Sequence, residues 1–157
     1  MSAHFFKLVN SSVKFRLFLL SKLPAAYFSG LRMVACTEEK CIVSIPFKWF
    51  TQNPFRSTYF ACLGMAAEMS TGALAMAHVY RRKPAISMLI TGMESKFHKK
   101  ATATTYFTCG EGLVIKQAVE LAAAGNPQAV MVHSKGYNTE KELVAEFWFT
   151  WSFKAKQ

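Results

Sequence analysis

Residues 57–80 read STYFACLGMAAEMSTGALAMAHVY and contain one formally charged side chain, that of Glu68. Apolar and small residues occupy every side of the helix that this stretch predicts, which is the pattern of a helix buried on all faces. A carboxylate inside such a helix needs a partner or a task, because removing its charge from water costs several kcal/mol. We therefore predict a fold that wraps this helix, with Glu68 as the first candidate for chemistry.

Composition limits the class of protein to which this helix belongs. The 157 residues are 52% hydrophobic and 18% charged, which predicts a single domain over residues 1–157. The 19 lysines and arginines exceed the 9 acidic residues and give a net charge of +10, which suits nucleic acid, an anionic membrane or a phosphorylated ligand. No zinc-finger spacing or tandem base-stacking motif occurs in the sequence, so we expect no nucleic-acid partner.

Cysteine usage favours a reducing compartment and argues against a metal centre. The four cysteines are Cys36, Cys41, Cys62 and Cys109. They show no CxxC spacing and no histidine at ligand distance in sequence. We expect reduced thiols, no metal and a cytoplasmic location.

The N-terminal segment of residues 5–23, FFKLVNSSVKFRLFLLSKL, is apolar enough to suggest a signal peptide. Basic residues interrupt it and no small-residue cleavage pattern follows, so we reject that interpretation. Its apolar residues are spaced three and four apart, as on one face of an amphipathic helix. They are Phe6, Val9, Val13, Leu17 and Leu20. We expect this helix, within residues 1–24, to pack on the domain, while its basic polar face leaves contact with a membrane surface open.

Beyond Gly30 the sequence predicts a mainly β remainder with one further helix. A polar TEEK turn joins residues 31–36 and 41–47 as a hairpin. Later strands are predicted at residues 86–91, 101–109, 129–134 and 142–154. The second helix, at residues 113–125, is expected outside the sheet.

The bounds of the central helix follow from its flanking residues. Ser57 or Thr58 can act as N-cap, because a hydroxyl oxygen accepts a hydrogen bond from an amide of the first turn. The helix is expected to run to about Arg81, since Pro84 prevents its continuation.

The final predicted strand carries the most apolar face of the chain. Its alternate residues are Leu143, Ala145, Phe147, Phe149, Trp151 and Phe153. An amphipathic sheet and a helix that is apolar on all sides complete each other in two layers. We therefore predict an α+β fold in which this face covers the central helix.

This order of elements resembles the hotdog fold, a curled antiparallel sheet wrapped round a long central helix, here with an N-terminal helix and one additional helix. Hotdog acyl-CoA thioesterases of phenylacetate-degradation type carry an Asn, then His-Gly-Gly six residues later, then an Asp or Glu nine residues after the His. In this chain Asn53, the tripeptide at 59–61 and Glu68 stand at those positions without a gap. The chain also resembles an uncharacterised bacterial branch of this superfamily.

The resemblance implies a thioester hydrolase in which Glu68 is the general base, or less favourably the nucleophile. It implies that the amides of Phe60 and Ala61 stabilise the oxyanion and that Asn53 orients water or carbonyl. Tyr59 and Thr71 would contact the substrate. Because Tyr-Phe-Ala replaces His-Gly-Gly, a non-catalytic acyl or acyl-CoA binding protein is the alternative.

Two basic clusters are candidates for the phosphates of coenzyme A, although a solvated basic edge fits them equally. They are Arg81, Arg82 and Lys83 after the central helix, and Lys99 with Lys100 in the segment FHKK. Coenzyme A would be part of the substrate, and we expect no separate cofactor.

A free strand edge and the resemblance together predict a homodimer, or a dimer of dimers, with sites between subunits. A membrane span at residues 57–80 is the third interpretation, because the stretch is long enough. Glu68, His78 and the small polar residues argue against it, so we expect no integral membrane insertion.

Overall fold

The computed structural model describes residues 2–156, with Ser2 described by its backbone alone. Three helices, α1 (Ser2–Val9), α2 (Ser12–Lys22) and α3 (Pro24–Ser29), precede the hairpin of β1 (Arg32–Cys36) and β2 (Cys41–Ile45). A 3-10 turn (Trp49–Thr51) leads to the central helix α4 (Phe60–Val79), which is followed by β3 (Ile86–Phe97) and β4 (Thr105–Cys109). The chain ends with α5 (Gly112–Ala123), β5 (Gln128–Tyr137) and β6 (Leu143–Ala155).

The strands form one antiparallel sheet in the order β1-β2-β4-β5-β6-β3, which leaves β1 and β3 at its edges. The longest pairing joins β3 to β6, from Ile86 opposite Ala155 to Phe97 opposite Ala145. Helix α4 contacts β2, β4, β5 and β6. The predicted α+β architecture, a curled sheet round one long helix, is confirmed.

The predicted apolar face of β6 is buried against α4. Phe147, Phe149, Trp151 and Phe153 are almost fully buried. The indole Nε1 of Trp151 donates a hydrogen bond to Thr71 Oγ1 over 3.0 Å, and the hydroxyls of Ser70 and Ser134 lie 2.7 Å apart. These bonds satisfy buried polar groups and fix the rotation of α4 over the sheet.

Helix α4 is long and apolar enough to cross a membrane by length and composition. Most of its apolar stretch is buried within the fold, as in the core helix of a small soluble domain. The membrane-span interpretation therefore rests on composition alone.

The N-terminal segment differs from the single predicted helix. Asn10 separates α1 from α2, because its side chain donates to the Cys36 carbonyl oxygen (2.7 Å) and accepts from the Cys36 amide (2.8 Å). This break changes the rotational phase, so α2 buries Phe15 and Leu19. The predicted face is wrong there: Val13, Leu17 and Leu20 are 67%, 60% and 45% exposed.

The start of α4 also departs from the sequence prediction. Tyr59 occupies the N-cap position, and its side chain makes no capping hydrogen bond. Thr58 instead donates its hydroxyl proton to the Ala101 carbonyl oxygen, and Ser57 Oγ lies 3.2 Å from Asn53 Oδ1. Neither predicted hydroxyl is free to cap the helix, because each has a tertiary or loop partner.

Helix α5 was expected outside the sheet, and this expectation is wrong. It contacts α4 as well as β5 and β6, and Ile115 and Val119 on it are fully buried. At its start, Gly112 donates its amide to the Glu39 carbonyl oxygen (3.0 Å), which joins α5 to the β1–β2 turn.

Candidate active site

A cavity of about 440 Å³ lies between the N-terminal helices, α4 and β3. Its wall is mainly apolar and aromatic, with Glu68 and Lys14 as its charged residues. Residues that supply much of the wall are Phe5, Phe15, Phe18, Met76, Tyr80 and Met88. An apolar cavity with few polar groups is the usual form of a small-molecule site.

Glu68 enters this cavity from the middle of α4. Within the described residues its carboxylate has no hydrogen bond and no ion pair. Burial raises the pKa of Glu68 above its ordinary value, because desolvation penalises the charged form. A carboxylate with a raised pKa is a stronger base than an exposed carboxylate, and one that faces a cavity is suited to accept a proton from a bound molecule.

Gly72, one helical turn beyond Glu68, makes room for this carboxyl group. A Cβ atom placed on Gly72 would lie 2.9 Å from Glu68 Oε1 and 3.4 Å from the Trp151 ring. Real Cβ atoms essentially never lie within 3.0 Å of another side chain, so a side chain at position 72 would displace the Glu68 carboxylate. Gly72 thus permits the observed position of the Glu68 carboxylate.

The start of α4 borders a second, more open groove of about 590 Å³. Five of the predicted site residues line it: Asn53, Tyr59, Phe60, Lys99 and Lys100. Glu68 is not among the residues of this groove. The predicted site is therefore divided between two places on the chain.

Asn53 shapes the loop before α4. Its Oδ1 accepts hydrogen bonds from the amides of Phe55 (3.0 Å) and Ser57 (3.2 Å). This is the Asx-turn arrangement, in which a side chain replaces a backbone acceptor. The Asn53 oxygen is committed to the loop, which leaves its amide group for any contact with a ligand.

Aromatic side chains cover the helix start where the resembled family carries glycines. The Tyr59 and Phe60 rings meet edge to face at 5.0 Å, and Phe60 approaches Phe97 at 6.5 Å. The Phe60 and Ala61 amides belong to the first turn, whose N–H groups have no intrahelical acceptor. These amides are candidate hydrogen-bond donors beside the aromatic wall.

Thr71 and the two basic clusters are not brought together with Glu68. The Thr71 hydroxyl donates to the Glu68 backbone oxygen (2.9 Å), and it also accepts from Trp151, so it serves the helix-sheet contact. The cluster of residues 81–83 lies at the opposite end of α4 from Lys99 and Lys100. The 20 residues of α4 separate them by about 30 Å.

Arg81 contacts Tyr80 of the cavity wall, whereas Lys99 and Lys100 have partners near the groove. The Arg81 guanidinium lies 5.1 Å from the ring centre of Tyr80, which lines the cavity. Lys99 Nζ lies 2.5 Å from Glu142 Oε1, and Lys100 donates to the Phe55 carbonyl oxygen. The two basic clusters therefore form two separate basic surfaces of the chain.

Sequence reasoning did not find the cavity wall or the histidine cluster. The wall depends on how α1 and α2 pack on α4, which no local pattern encodes. His98 Nε2 lies 2.8 Å from Glu146 Oε2, and His133 Nε2 lies 2.9 Å from Glu146 Oε1. Among residues 2–156 no group of three or more His, Cys, Asp or Glu side chains could hold a metal ion.

The curled sheet, the central helix and the cavity beside it define a hotdog-fold protein. The chain belongs to the family described as a domain of unknown function, DUF4442, whose model matches residues 14–153. A comparison with curated proteins found no match.

Several solved structures share the fold at low sequence identity. A Pseudomonas aeruginosa protein of unknown function, described as a probable thioesterase, is 17% identical, with a TM-score of 0.78 over 92% of this chain and 96% of that one. A Chlorobaculum tepidum protein of unknown function is 14% identical, with a TM-score of 0.76 over 92% and 94%. A Haemophilus influenzae thioesterase is 11% identical, with a TM-score of 0.66 over 96% and 95%.

Proposed function

We propose that this protein is a cytoplasmic acyl-CoA thioesterase in which Glu68 is the general base. The observation that carries the proposal is the unpaired Glu68 carboxylate in an apolar cavity, with Gly72 leaving space beside it. Structural neighbours that are named thioesterases support the same class of reaction at the level of the fold.

In the proposed reaction, the acyl chain lies in the apolar cavity and its thioester carbonyl reaches Glu68. The carboxylate takes a proton from water while the water oxygen bonds to the carbonyl carbon. The carbon–sulfur bond of the resulting tetrahedral intermediate then breaks, and the leaving sulfur receives the proton. The products are a carboxylic acid and the free thiol of coenzyme A.

A second copy of the chain would complete this site. Glu68 lies seven and eight residues beyond Ala61 and Phe60, so those amides are about 10–12 Å away along the helix axis. That distance is too long for one carbonyl group to contact both within a single chain. A two-fold homodimer would bring the Asn53, Phe60 and Ala61 groups of the partner towards Glu68.

The free edge of the sheet supports pairing with this second copy. Strand β3 lies at the edge of the sheet. Met93 and Phe97 on β3 and Met76 on α4 are exposed. Pairing two β3 strands would satisfy their outer backbone groups and cover these apolar side chains. The phosphates of coenzyme A would then contact Arg81, Arg82 and Lys83, with Lys99 and Lys100 of the partner as a second basic surface.

The second candidate function is non-catalytic binding of an acyl or acyl-CoA ligand. The aromatic contact between Tyr59 and Phe60 favours it, because these side chains stand where glycines would expose the helix amides. Such a protein would keep the apolar cavity and lack the oxyanion contact.

Two measurements on the wild-type protein separate these functions. Thiol release is followed over acyl-CoA substrates of increasing chain length, and thermal unfolding is followed with the same compounds. A thioesterase releases thiol and shows a preferred chain length, whereas a binding protein is stabilised by the ligand without turnover. The absence of both turnover and stabilisation with every acyl-CoA would refute both functions.

A further inference from the structure

Helix α2 exposes an apolar stripe on the side opposite its buried residues. Val13, Leu17 and Leu20 follow the i, i+4, i+7 spacing of one helix face, and all three are exposed. Phe15 and Leu19 occupy the other side and are buried in the core. The packing of the domain therefore does not account for this stripe. Large exposed apolar patches commonly mark interaction sites, so this stripe is a candidate for one.

The N-terminal segment that carries this stripe has charged side chains of one sign. Residues 1–37 contain no aspartate or glutamate, and they carry Lys7, Lys14, Arg16, Lys22 and Arg32. Lys14 and Arg16 flank the stripe in the sequence of α2, where Arg16 also donates to the Tyr27 carbonyl oxygen (3.1 Å) and Lys14 borders the Glu68 cavity. The surface that surrounds the apolar stripe would consequently attract an anionic partner.

Further exposed aromatic residues lie on α3, which packs against α2, and on the 3-10 turn, which packs against α3. Helix α3 contacts both α2 and the 3-10 turn, and Phe28 on α3 has its ring 6.4 Å from that of Phe50. Trp49 beside Phe50 is 82% exposed. Lys48 links the two elements by donating to the Phe28 carbonyl oxygen (2.9 Å). Aromatic and basic side chains in this combination are typical of proteins that bind at a lipid interface.

We propose that the α2–α3 face, meaning Val13, Leu17, Leu20, Phe28 and Trp49, docks on the surface of an anionic lipid bilayer. The apolar side chains enter the boundary between headgroups and acyl chains, while the flanking lysines and arginines contact anionic headgroups. Nucleic acid fits this face less well, because aliphatic side chains offer neither stacking nor hydrogen bonds to a base or phosphate. The docking does not depend on the proposed hydrolysis, although the same helices also wall the Glu68 cavity.

Vesicle sedimentation tests this docking with the full chain. Wild-type protein is mixed with vesicles of phosphatidylcholine alone, or with vesicles in which about a third of the lipid is phosphatidylglycerol. We expect at least tenfold tighter binding to the anionic vesicles, and weaker binding as salt rises, because salt screens the attraction between basic side chains and anionic headgroups.

Two pairs of variants locate the docking face. Leu17→Ser with Leu20→Ser should weaken binding to anionic vesicles about tenfold or more, because apolar area enters the interface. The matched control is Leu113→Ser with Leu121→Ser on α5, where the side chains are 55% and 43% exposed; it should bind like wild type. Lys7→Gln with Lys22→Gln should lose about tenfold or more, and the control Lys154→Gln with Lys156→Gln should not.

Several outcomes would overturn the docking proposal. They are absence of binding to anionic vesicles, equal losses in the α2 and α5 variants, or tighter binding to DNA or RNA than to vesicles. A fourth outcome combines two results: the wild type does not bind vesicles, and the double variant Leu17→Ser with Leu20→Ser changes its oligomeric mass. This outcome would place a second copy of the chain on this face. The lysine variants keep the test decisive if the leucine variants fold poorly.

Discussion

Glu68 illustrates how one side chain combines a stability cost with a proposed task. Its carboxyl group is partly buried, faces an apolar cavity and has no polar partner among the described residues. The pKa in the folded protein is raised above the ordinary value of 4.5 by desolvation. The native state therefore holds this proton more tightly than the unfolded chain, and stability falls as pH rises from about 4.5 through the raised pKa.

Glu68→Gln should remove this loss of stability. We expect its melting temperature to exceed that of wild type at pH 8 by a few degrees and to match it at pH 4, because wild-type Glu68 is then protonated. Calorimetry at both values checks this, with Glu140→Gln on an exposed loop as the control. A Gln variant less stable than wild type at pH 8 would indicate a stabilising partner for the carboxylate.

Gly72→Ala should lower activity while preserving the fold. The new methyl group would compete with Glu68 Oε1 for space, and the flexible carboxylate end is the group that would move. A displacement of about 1 Å in a reacting group can cost up to about 100-fold in rate, so we expect a loss of about 10- to 100-fold in kcat.

Gly64→Ala on the same helix is the matched control for this change. Its Cβ would lie 3.3 Å from the Phe147 ring and away from the Glu68 carboxyl group. We expect near wild-type kcat in this variant. Equal losses in the two variants would mean that helix packing, and not the position of Glu68, limits the rate.

At the scale of elements, local periodicity predicts burial well where one pattern continues without a break. The alternation along β6 correctly places Phe147, Phe149 and Trp151 against α4, because a strand side chain has two possible faces. In α2 the same type of reasoning selects the wrong face. Asn10 binds Cys36, 26 residues away, and this long-range contact resets the helix phase.

The candidate site shows the same division between local and long-range information. The charge inside an apolar stretch and its spacing from Asn53 are visible in the sequence. The cavity is not, because its wall combines Phe15 and Tyr80 from segments that meet in the folded chain alone. The hydroxyls of Ser57 and Thr58 are good local caps, yet Ser57 bonds Asn53 within the preceding loop and Thr58 donates to the distant Ala101 carbonyl oxygen.

Gly112 joins α5 to the β1–β2 hairpin, and its substitution should loosen that junction. A Cβ at this position would overlap the Glu38 carbonyl oxygen and lie 2.8 Å from Glu39 Cα. These are backbone atoms that cannot turn aside, so Gly112→Ala should lower the free energy of unfolding by about 1–3 kcal/mol.

Gly110→Ala serves as the control for this junction, because nothing lies within 4 Å of a Cβ there. Urea unfolding of both variants gives the comparison, and we expect a change below about 0.5 kcal/mol for Gly110→Ala. Equal stability of the two variants would show that the backbone contact at Gly112 contributes nothing.

At the scale of the whole molecule, the proposed homodimer depends on the β3 edge. Met93 on this strand is 54% exposed beside the open side of α4. Two such residues would approach each other across the two-fold axis, so Met93→Glu should raise the dimer dissociation constant by at least about 100-fold through like-charge repulsion. Light scattering of the protein as it elutes from a size-exclusion column measures its oligomeric mass.

Met131→Glu is the matched control for the dimer, since Met131 on β5 is 55% exposed away from that edge. We expect it to remain dimeric. A wild-type protein that is monomeric at micromolar concentration would contradict the intersubunit site and, with it, the proposed source of the oxyanion donors.

The most direct test of the account is the rate of thiol release from the preferred acyl-CoA by wild type and by Glu68→Gln, measured on folded protein of equal mass. Loss of a general base lowers rates by about 10²- to 10⁴-fold, and we predict a loss in kcat within this range. Glu140→Gln, on an exposed loop outside the cavity wall, should retain wild-type turnover. Equal turnover by Glu68→Gln and wild type would contradict the assignment of Glu68 as the base.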